Sequence, residues 1–412
     1  MAQVNITLNH EELVALLGGN REEAFKHLVE KILNEALLAE STAQLGAEKY
    51  ERSDNRTDQR NGTRERELTT KIGTIVLEVP RHRLLPFHTT LFETYQRSET
   101  ALLNTMAEMV IMGVSTRKVS NVIEMICGKE YSKSTVSEVC KRLDPEIKDF
   151  QNRDLSTREF PFIMVDATYF KVRENHRVTS KALFIAVGYT QEGKKEILYF
   201  NVYDNESNDT WLDFFEHLKA NGLKDPMLLT SDAHKSIRYA AFKVYPKTPW
   251  QRCQFHFTKN ILDAAPNSQR PGLEIELRQM FNSKSITEAR RKRDSILSDY
   301  SDLAPKAMEL LDTGFEDSMT IYMLPERMQP HLRTSNTLER LNRELKRRSD
   351  VIQIFPNGAS LLRLMGSVII DQNDIMLMKR MCFGTIAYAS ITQETSVKLQ
   401  SLALEQQKLL AA

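Results

Sequence analysis

The sequence has few cysteines and no long apolar run, and both absences limit what kind of protein it encodes. Its four cysteines, Cys127, Cys140, Cys253 and Cys382, form no C-x-x-C pair among 412 residues, as expected of reduced thiols in a cytoplasm. No apolar run approaches the roughly 20 residues of a membrane-spanning helix. The amino terminus has no basic stretch followed by an apolar one, so no signal peptide is expected. We therefore expect a cytoplasmic protein with no membrane partner.

The chain also lacks a net charge of either sign. It has 56 Lys and Arg against 55 Asp and Glu, a formal charge of +1, so the total neither implies nor excludes a nucleic-acid partner. Its 41% hydrophobic and 27% charged residues are ordinary for a folded protein. At 412 residues the chain exceeds one small core, which predicts two or three domains.

The amino-terminal region is predicted to be helical and then to form a hairpin. Residues 9–48 carry apolar side chains at helical spacing, which predicts a packing or dimerisation segment over residues 1–50. Residues 52–66 are polar and are predicted to form a loop or an arm. The next segment, ELTTKIGTIVLEVPR, alternates around a glycine and predicts a short strand pair.

Three short amphipathic helices are predicted between residues 101 and 143. They fit a helix-turn-helix unit, which would make residues 51–150 a DNA-binding region. In that interpretation the segment SKSTVSEVCKRL lies in the major groove, with Lys133, Ser134 and Thr135 near base edges. An ordinary helical bundle explains the same pattern equally well, and the sequence alone leaves both alternatives open.

From residue 155 the pattern changes to strands alternating with helices. Apolar strands are predicted at 160–172, 181–190 and 196–203, followed by a helix, the strand MLLTS, another helix and a fifth strand, WQRCQFHF. This order indicates an α/β protein with a mixed sheet wrapped by helices, as in RNase H-like folds. Residues 155–257 would form the first part of that core.

Two aspartates are placed on these strands where they can meet. Asp166 interrupts an apolar strand, and burying its carboxylate is costly unless a partner compensates it. Asp232 follows MLLTS and opens a helix, where a role as helix N-cap is a sufficient explanation. If the two strands are neighbours, both carboxylates converge at the edge where α/β sheets bind ligands. A divalent cation would then compensate both.

The third acidic candidate lies on a basic helix predicted at 334–348. Glu339 stands beside a stripe formed by Leu338, Leu341 and Leu345. Six cations oppose only Glu339 and Glu344 here: Arg333, Arg340, Arg343, Lys346, Arg347 and Arg348. Cations around a carboxylate suit a phosphate-binding active site. The alternative is a solvated face on which Glu339 pairs with Arg343, and Glu344 with Arg340 and Arg348.

Seven blocks occur in a fixed order along the chain, together with these three carboxylates. They are RNGTRERELTTKIGTIVLEVPR, FETYQRSETAL, GVSTRKVSNVIEMICGKEYSKSTVS, VDATYFKVRE, SDAHKSI, WQRCQFHFTKN and TSNTLERLNRELKRR with VIQIFPN. In these blocks the chain resembles the Mutator-type transposases of bacterial insertion sequences. It departs from them at Thr63, where the family often has an aromatic residue, and after FPN. The resemblance implies an RNase H-like core with a DDE triad of Asp166, Asp232 and Glu339. It also implies an all-α insertion over 258–330, and over 331–412 a catalytic-glutamate helix with further carboxyl-terminal helices.

The resemblance further implies cofactors, partners and a location. Two Mg²⁺ ions, with Mn²⁺ able to substitute, would be held by the three carboxylates. The partners would be double-stranded DNA, namely the element's terminal inverted repeats and target DNA, and further copies of the chain in a homodimer or larger synaptic assembly at the bacterial nucleoid. Phosphate contacts are expected from Arg333, Arg340, Arg343, Lys346 and Arg347, and repeat recognition from Arg117, Lys118, Lys133 and Ser134. The alternative is a catalytically inactive DNA-binding regulator derived from such a transposase.

Four further residues are expected to support the active site. The family's C-x-x-H element matches Cys253 and His256, just after Trp250, and Asn336 lies on the same side of its helix as Glu339. A structural zinc site needs about four ligands. Because the sequence shows no second pair of zinc ligands, we expect Cys253 and His256 to pack and form hydrogen bonds and not to bind zinc.

Overall fold

The computed structural model of the protein describes residues 21–51, 55–91, 100–127 and 129–411, together with the single residues 10, 14 and 98. The chain divides into two compact units, residues 1–142 and 143–412. In the part of the chain so described, no helix has the length and apolarity to cross a membrane.

The first unit contains a long helix, a β-hairpin and three short helices. These are α1 Arg21–Leu45, β1 Arg60–Thr70, β2 Gly73–His82, α2 Thr100–Ile111, α3 Thr116–Cys127 and α4 Lys133–Cys140. Buried Leu37 of α1 packs with Leu68, Ile75 and Leu77 of the antiparallel hairpin. The predicted hairpin and the three predicted helices are therefore present.

Two predictions for the first unit differ from the structure or extend beyond the described residues. The loop predicted over 52–66 is wrong from Arg60 onward, because that polar stretch pairs with β2 along its backbone and leaves most of its side chains exposed. An exposed strand of this kind has no apolar alternation to reveal it. In the helix predicted over 9–48, α1 accounts for residues up to Leu45. Residues 9, 11–13 and 15–20 of that prediction lie outside the described residues, as do residues 52–54 of the predicted loop and residues 92–97 and 99 of the FETYQRSETAL block.

The second unit is built on a five-stranded mixed sheet. Its strands are β3 Phe162–Glu174, β4 Arg177–Tyr189, β5 Lys195–Tyr203, β6 Leu228–Ser231 and β7 Trp250–Arg252, in the spatial order β5-β4-β3-β6-β7. β3–β4 and β4–β5 are antiparallel, whereas β3–β6 and β6–β7 are parallel. The mixed α/β sheet predicted from the strand order is present.

Helices account for most of the remaining chain in this unit. In chain order they are α5 Asp144–Gln151, α6 Asn208–Ala220, α7 Lys235–Val244, α8 Gln254–Ala264, α9 Arg270–Phe281, α10 Ile286–Tyr300, α11 Pro305–Met319, α12 Gln329–Leu332, α13 Asn336–Ser349, α14 Gly358–Met378, α15 Thr385–Ala389 and α16 Gln393–Ala411. One core lies against the sheet and includes Phe184, Trp211 and Phe214. A second core lies within α8–α11.

The fifth strand is shorter than predicted. It ends at Arg252, and the residues from Gln254 onward form α8. Phe257 and Ile261 are buried four residues apart on that helix, so their apolar side chains follow a helical period, not the alternation of a strand. This early end places Cys253 at the start of a helix.

The carboxyl-terminal helix covers the edge strand of the sheet. The Gln406 side chain of α16 accepts a bond from the backbone N–H of Trp250 at 2.8 Å and donates to its carbonyl at 2.9 Å. An amide side chain here replaces the neighbouring strand that an edge lacks. The last helix is thus bonded to the edge strand of the sheet that carries the candidate site.

Candidate active site

Strand register places the two aspartates beside each other. In the parallel pair β3–β6 the last matched residues are Met164 and Thr230, and Asp166 and Asp232 each follow two residues later. Burial raises the pKa of Asp166 to about 7. Positively charged His256 lowers that pKa, whereas the negative charges of Asp232 and Glu206 raise it further. The described residues therefore compensate the ionised form of Asp166 only in part.

Asp232 does not act as the helix N-cap that was considered from the sequence. The N-cap of α7 is His234, which makes no side-chain capping bond. The Asp232 Oδ1 atom accepts a bond from the backbone N–H of His234 at 3.2 Å. Trp250 Nε1 donates to Ser231 Oγ at 2.9 Å, which holds the end of β6 directly before Asp232. The tryptophan predicted to support the site thus contacts the strand that carries the second aspartate.

Glu339 lies in the first turn of α13, and leucines fix that helix to the unit. Leu338, Leu341 and Leu345 are buried, and Lys195 Nζ donates to Thr337 Oγ1 at 2.9 Å. Burial raises the pKa of Glu339, and His256, Arg343 and Lys259 oppose that rise. Among the described residues, no donor reaches the buried Oε1 atom of Glu339.

The two glutamates of α13 have different surroundings. Glu344 forms ion pairs with Arg347 at 2.7 Å and Arg348 at 2.8 Å, and the hydrogen bond from Arg347 is the main reason that its pKa falls to about 2. The ion pair with Arg348 was expected, and Arg347 takes the place of Arg340. Among the described residues, Glu339 and Arg343 do not form an ion pair within 4.0 Å, whereas Glu344 forms two. Salt-bridge formation thus accounts for Glu344 but not for Glu339.

His256 interacts with all three candidate carboxylates. Its charge affects the pKa values of Asp166 and Glu339, and its own pKa responds to Asp166 and Asp232. A hydrogen bond with Cys253 is the largest cause that raises the pKa of His256 to about 9, against the opposing effect of burial. The Cys253 Sγ atom is buried and lies 3.2 Å from Ser335 Oγ. The cysteine and histidine therefore connect the start of α8 with the start of α13.

The residues present suit a hard divalent cation at the two aspartates. Asp232 is close enough to raise the pKa of Asp166, and Asn342 Nδ2 donates to Asp166 Oδ2 at 2.8 Å. Asn342 Oδ1 is buried, and within the described ranges it has no hydrogen-bond donor. Mg²⁺ takes oxygen ligands of this kind. The described ligand atoms of Asp166, Asp232 and Glu339 do not all lie within 4.8 Å of one another, whereas those of Cys253, His256 and Glu339 do.

Sequence reasoning missed two side chains at this site. Asn342 lies three residues after Glu339 on the same helix face, so helical spacing could have revealed it. Glu206 lies between β5 and α6, accepts a bond from Tyr169 Oη at 2.9 Å and raises the pKa of Asp166. A single acid in a short connection carries no pattern, and only the fold brings Glu206 to Asp166.

The remaining predicted residues lie around this centre or in the first unit. Arg340, Arg343, Lys346 and Arg347 are exposed along α13, and Asn336 is exposed at its start. Arg333 is half-buried and donates to Phe281 O at 2.8 Å and Asn282 Oδ1 at 2.9 Å. In the first unit, Arg117, Lys118, Lys133 and Ser134 are exposed on α3 and α4.

A basic groove lies along α8, the helix that carries His256. Its volume is about 730 Å³, and its lining includes Lys259, Arg270, Arg278 and Arg333 together with Asp263 and Glu274. Lys259 is also close enough to lower the pKa of Glu339. The groove therefore continues the positive charge of α13 away from the carboxylates.

A carboxylate centre on a mixed α/β sheet, with cations around it, defines a class of protein suited to phosphoryl chemistry. The particular group follows from comparison with protein families, because the model of the Mutator family of transposases matches residues 1–377. The chain belongs to the Mutator family of transposases, as its sequence blocks predicted. It is accordingly an enzyme that acts on DNA by cleaving and transferring strands.

Individual relatives match over most of their length. The transposase for insertion sequence element IS256 in transposon Tn4001 from Staphylococcus aureus is 41% identical over 377 residues, which are 91% of this chain and 96% of the relative. The transposase for insertion sequence element ISRM5 from Rhizobium meliloti is 38% identical, over 85% of this chain and 88% of its own length. The transposase for IS1081 from Mycobacterium tuberculosis is 34% identical, over 93% and 94%.

Proposed function

We propose that the protein is a DDE transposase of an insertion sequence with an RNase H-like core. It binds the terminal inverted repeats of its element, cleaves DNA strands at the element ends and joins the freed 3′-OH to a new phosphodiester. The observation that supports the proposal is the parallel pairing of β3 with β6, after which Asp166 and Asp232 follow at equal spacing and interact electrostatically. The insertion-sequence relatives support the same activity.

Asp166, Asp232 and Glu339 would hold two Mg²⁺ ions, or Mn²⁺ in their place. When bound, such ions activate a water or a DNA 3′-hydroxyl and stabilise the leaving oxygen. The chain's own residues prepare the site. Asn342 fixes Asp166 through its 2.8 Å bond. His256, whose pKa of about 9 keeps it positive at neutral pH, offsets the repulsion among the carboxylates.

Strand transfer with purified protein tests the proposal. The substrate is DNA that carries the element's ends, incubated with target DNA and Mg²⁺. Joined strands that depend on the metal and on the ends support the transposase. Cleavage without joining indicates a nuclease, and binding without cleavage indicates an inactive regulator; either result overturns the proposal.

Exposed cations of α13 are proposed to clamp DNA phosphates. Arg343 lies four residues from Glu339 on α13, whereas Arg347 is already held by Glu344 at 2.7 Å. We therefore expect Arg343→Ala to weaken DNA binding and to reduce the slope of log affinity against log salt by about 0.9, the loss of one phosphate contact. Fluorescence anisotropy across a salt series measures this slope. Arg347→Ala is the matched control and should change the slope less; equal slopes for wild type and Arg343→Ala would contradict the clamp.

We propose that α2–α4 form a helix-turn-helix unit that recognises the inverted repeats. The contacting residues would be Arg117, Lys118, Lys133 and Ser134. Ser132 caps α4 by accepting a bond from Thr135 N at 3.0 Å, which leaves Lys133 exposed on the first turn. Lys133→Ala is expected to reduce binding to the inverted repeat by about tenfold relative to unrelated DNA. Competition binding measures the ratio. Lys141→Ala is the control, because Lys141 pairs with Glu138 at 2.6 Å; an unchanged ratio for Lys133→Ala argues for the ordinary bundle.

A further inference from the structure

Cys253, His256 and Glu339 form a cluster whose chemistry differs from that of the aspartates. Their ligand atoms, one sulfur, one nitrogen and one oxygen, all lie within 4.8 Å of one another. The aspartates offer only oxygen, the ligand that Mg²⁺ prefers. Thiolate and imidazole select zinc-like ions instead. The protein thus presents two neighbouring donor sets of different softness.

The start of two helices holds this cluster together. Cys253 directly precedes α8 and His256 lies in its first turn, while Glu339 lies in the first turn of α13. Ser335 joins the two ends, since its backbone N–H donates to Cys253 Sγ at 3.3 Å. Ligands of a tetrahedral ion at about 2.0–2.3 Å are about 3.3–3.8 Å apart. The observed spacing allows this with small side-chain movements.

Glu339 gives an independent reason to expect a cation here. Its Oε1 atom is buried, and no donor within the described ranges reaches it. A buried carboxylate oxygen without a donor is destabilising unless a cation engages it. Cys253 and His256 alone are too few ligands for zinc. Glu339, 83 positions after His256 in the sequence, supplies a third ligand. Three protein ligands with one open position is a recurrent arrangement of non-structural zinc.

We propose that Cys253, His256 and Glu339 bind one Zn²⁺ ion, with water as the fourth ligand, and that this binding withdraws Glu339 from the Mg²⁺ ions. The ion displaces the protons of the Cys253 thiol and the His256 imidazolium, which pass to solvent. The binding of Zn²⁺ is inferred only from the positions of Cys253, His256 and Glu339 and does not depend on the proposed function. The withdrawal of Glu339 rests on the proposed function, since it requires Glu339 to serve the aspartate site. Zn²⁺ would then inhibit strand transfer in the presence of saturating Mg²⁺.

The binding is tested with the full-length, metal-free protein and Co²⁺ as a spectroscopic probe. We expect one equivalent of Co²⁺ to give the absorption of tetrahedral, thiolate-bound cobalt. One equivalent of Zn²⁺ should remove that absorption, and excess Mg²⁺ should not. Cys253→Ser should abolish the thiolate-to-cobalt band, and Glu339→Gln should weaken Co²⁺ binding by about tenfold or more. Cys382→Ser, the same substitution at another free cysteine, should change nothing.

Because Cys253 is fully buried, its variant is checked by circular dichroism, and His256→Gln serves as a second variant. His256 is only half-buried, and its loss should alter the cobalt spectrum while the fold persists. Absence of a stoichiometric thiolate–cobalt species, or an unchanged spectrum in both His256→Gln and Glu339→Gln, overturns the proposal.

The regulatory consequence has its own readout. One equivalent of Zn²⁺ should lower strand transfer at saturating Mg²⁺ by about tenfold or more in the wild type. In Cys253→Ser, the rate with Zn²⁺ should be close to the rate of the same variant without Zn²⁺, whatever its basal rate. If Co²⁺ binds as expected but no strand transfer is found with any metal, the proposed function fails and the binding site stands. If strand transfer occurs and the cobalt species is absent, the metal cluster fails and the transposase stands.

Discussion

Asp166→Asn, Asp232→Asn and Glu339→Gln are each expected to lower strand cleavage and strand transfer by about 10³-fold or more, equivalent to about 4 kcal/mol of transition-state free energy. Each substitution keeps the size of the side chain and removes the charge that would hold a divalent cation. Binding to the inverted repeats should remain within about threefold, because phosphate contacts and not these carboxylates supply affinity. Gel assays of cleaved and joined products, with anisotropy for binding, measure both effects.

Glu344→Gln is the matched control for Glu339→Gln. It lies on the same helix, but its carboxylate is bound to Arg347 and Arg348. It should therefore retain most of the activity. In a double variant of Asp166 and Asp232, the fold loss of rate should be smaller than the product of the two single losses, because ligands of one centre act as a unit. Wild-type rates in all three single variants would show that the triad is assigned wrongly.

Local patterns in the sequence allowed the sheet and its two aspartates to be predicted. The runs around Asp166 and before Asp232 are apolar enough to indicate buried strands. If the two strands are neighbours, Asp166 within one and Asp232 after the other can converge where α/β sheets bind ligands. Glu339 needed the family resemblance in addition, because a basic helix with salt bridges explained it equally well. Only the structure separates it from Glu344, which does have those salt bridges.

Contacts between distant segments are what the sequence could not supply. Glu206 and Asn342 reach Asp166 from 40 and 176 positions away, and Glu339 joins Cys253 and His256 through the meeting of two helix starts. The strand β1 was missed for another reason. Its polar residues are stabilised by backbone pairing with β2, which leaves no apolar alternation for a pattern to detect.

Asp166→Asn is also expected to stabilise the metal-free protein at pH 8. The pKa of Asp166 rises from its ordinary value of 3.8 to about 7, chiefly through burial. The folded state therefore binds a proton more tightly than the unfolded state, so stability falls as the pH rises from about 4 to about 7 and the full penalty is present above pH 7. The displacement corresponds to up to about 4 kcal/mol. Asparagine cannot ionise, yet its Oδ1 atom still accepts the bond from Asn342.

Urea unfolding of metal-free wild type and variant, at pH 8 and near pH 4, measures this effect. The variant should be more stable by about 2–4 kcal/mol at pH 8, and the difference should nearly vanish near pH 4, where Asp166 is protonated in the folded protein. Added Mg²⁺ should narrow the difference at pH 8, because the wild type alone keeps both aspartates. Asp154→Asn is the control, and it should not stabilise the protein at pH 8. Hydrogen bonds from Ser156 lower the pKa of Asp154, so its ionised form is already stabilised in the folded state. A variant no more stable than wild type at pH 8 would mean that Asp166 carries no uncompensated charge, and the physical case for cations at this site would be lost with it.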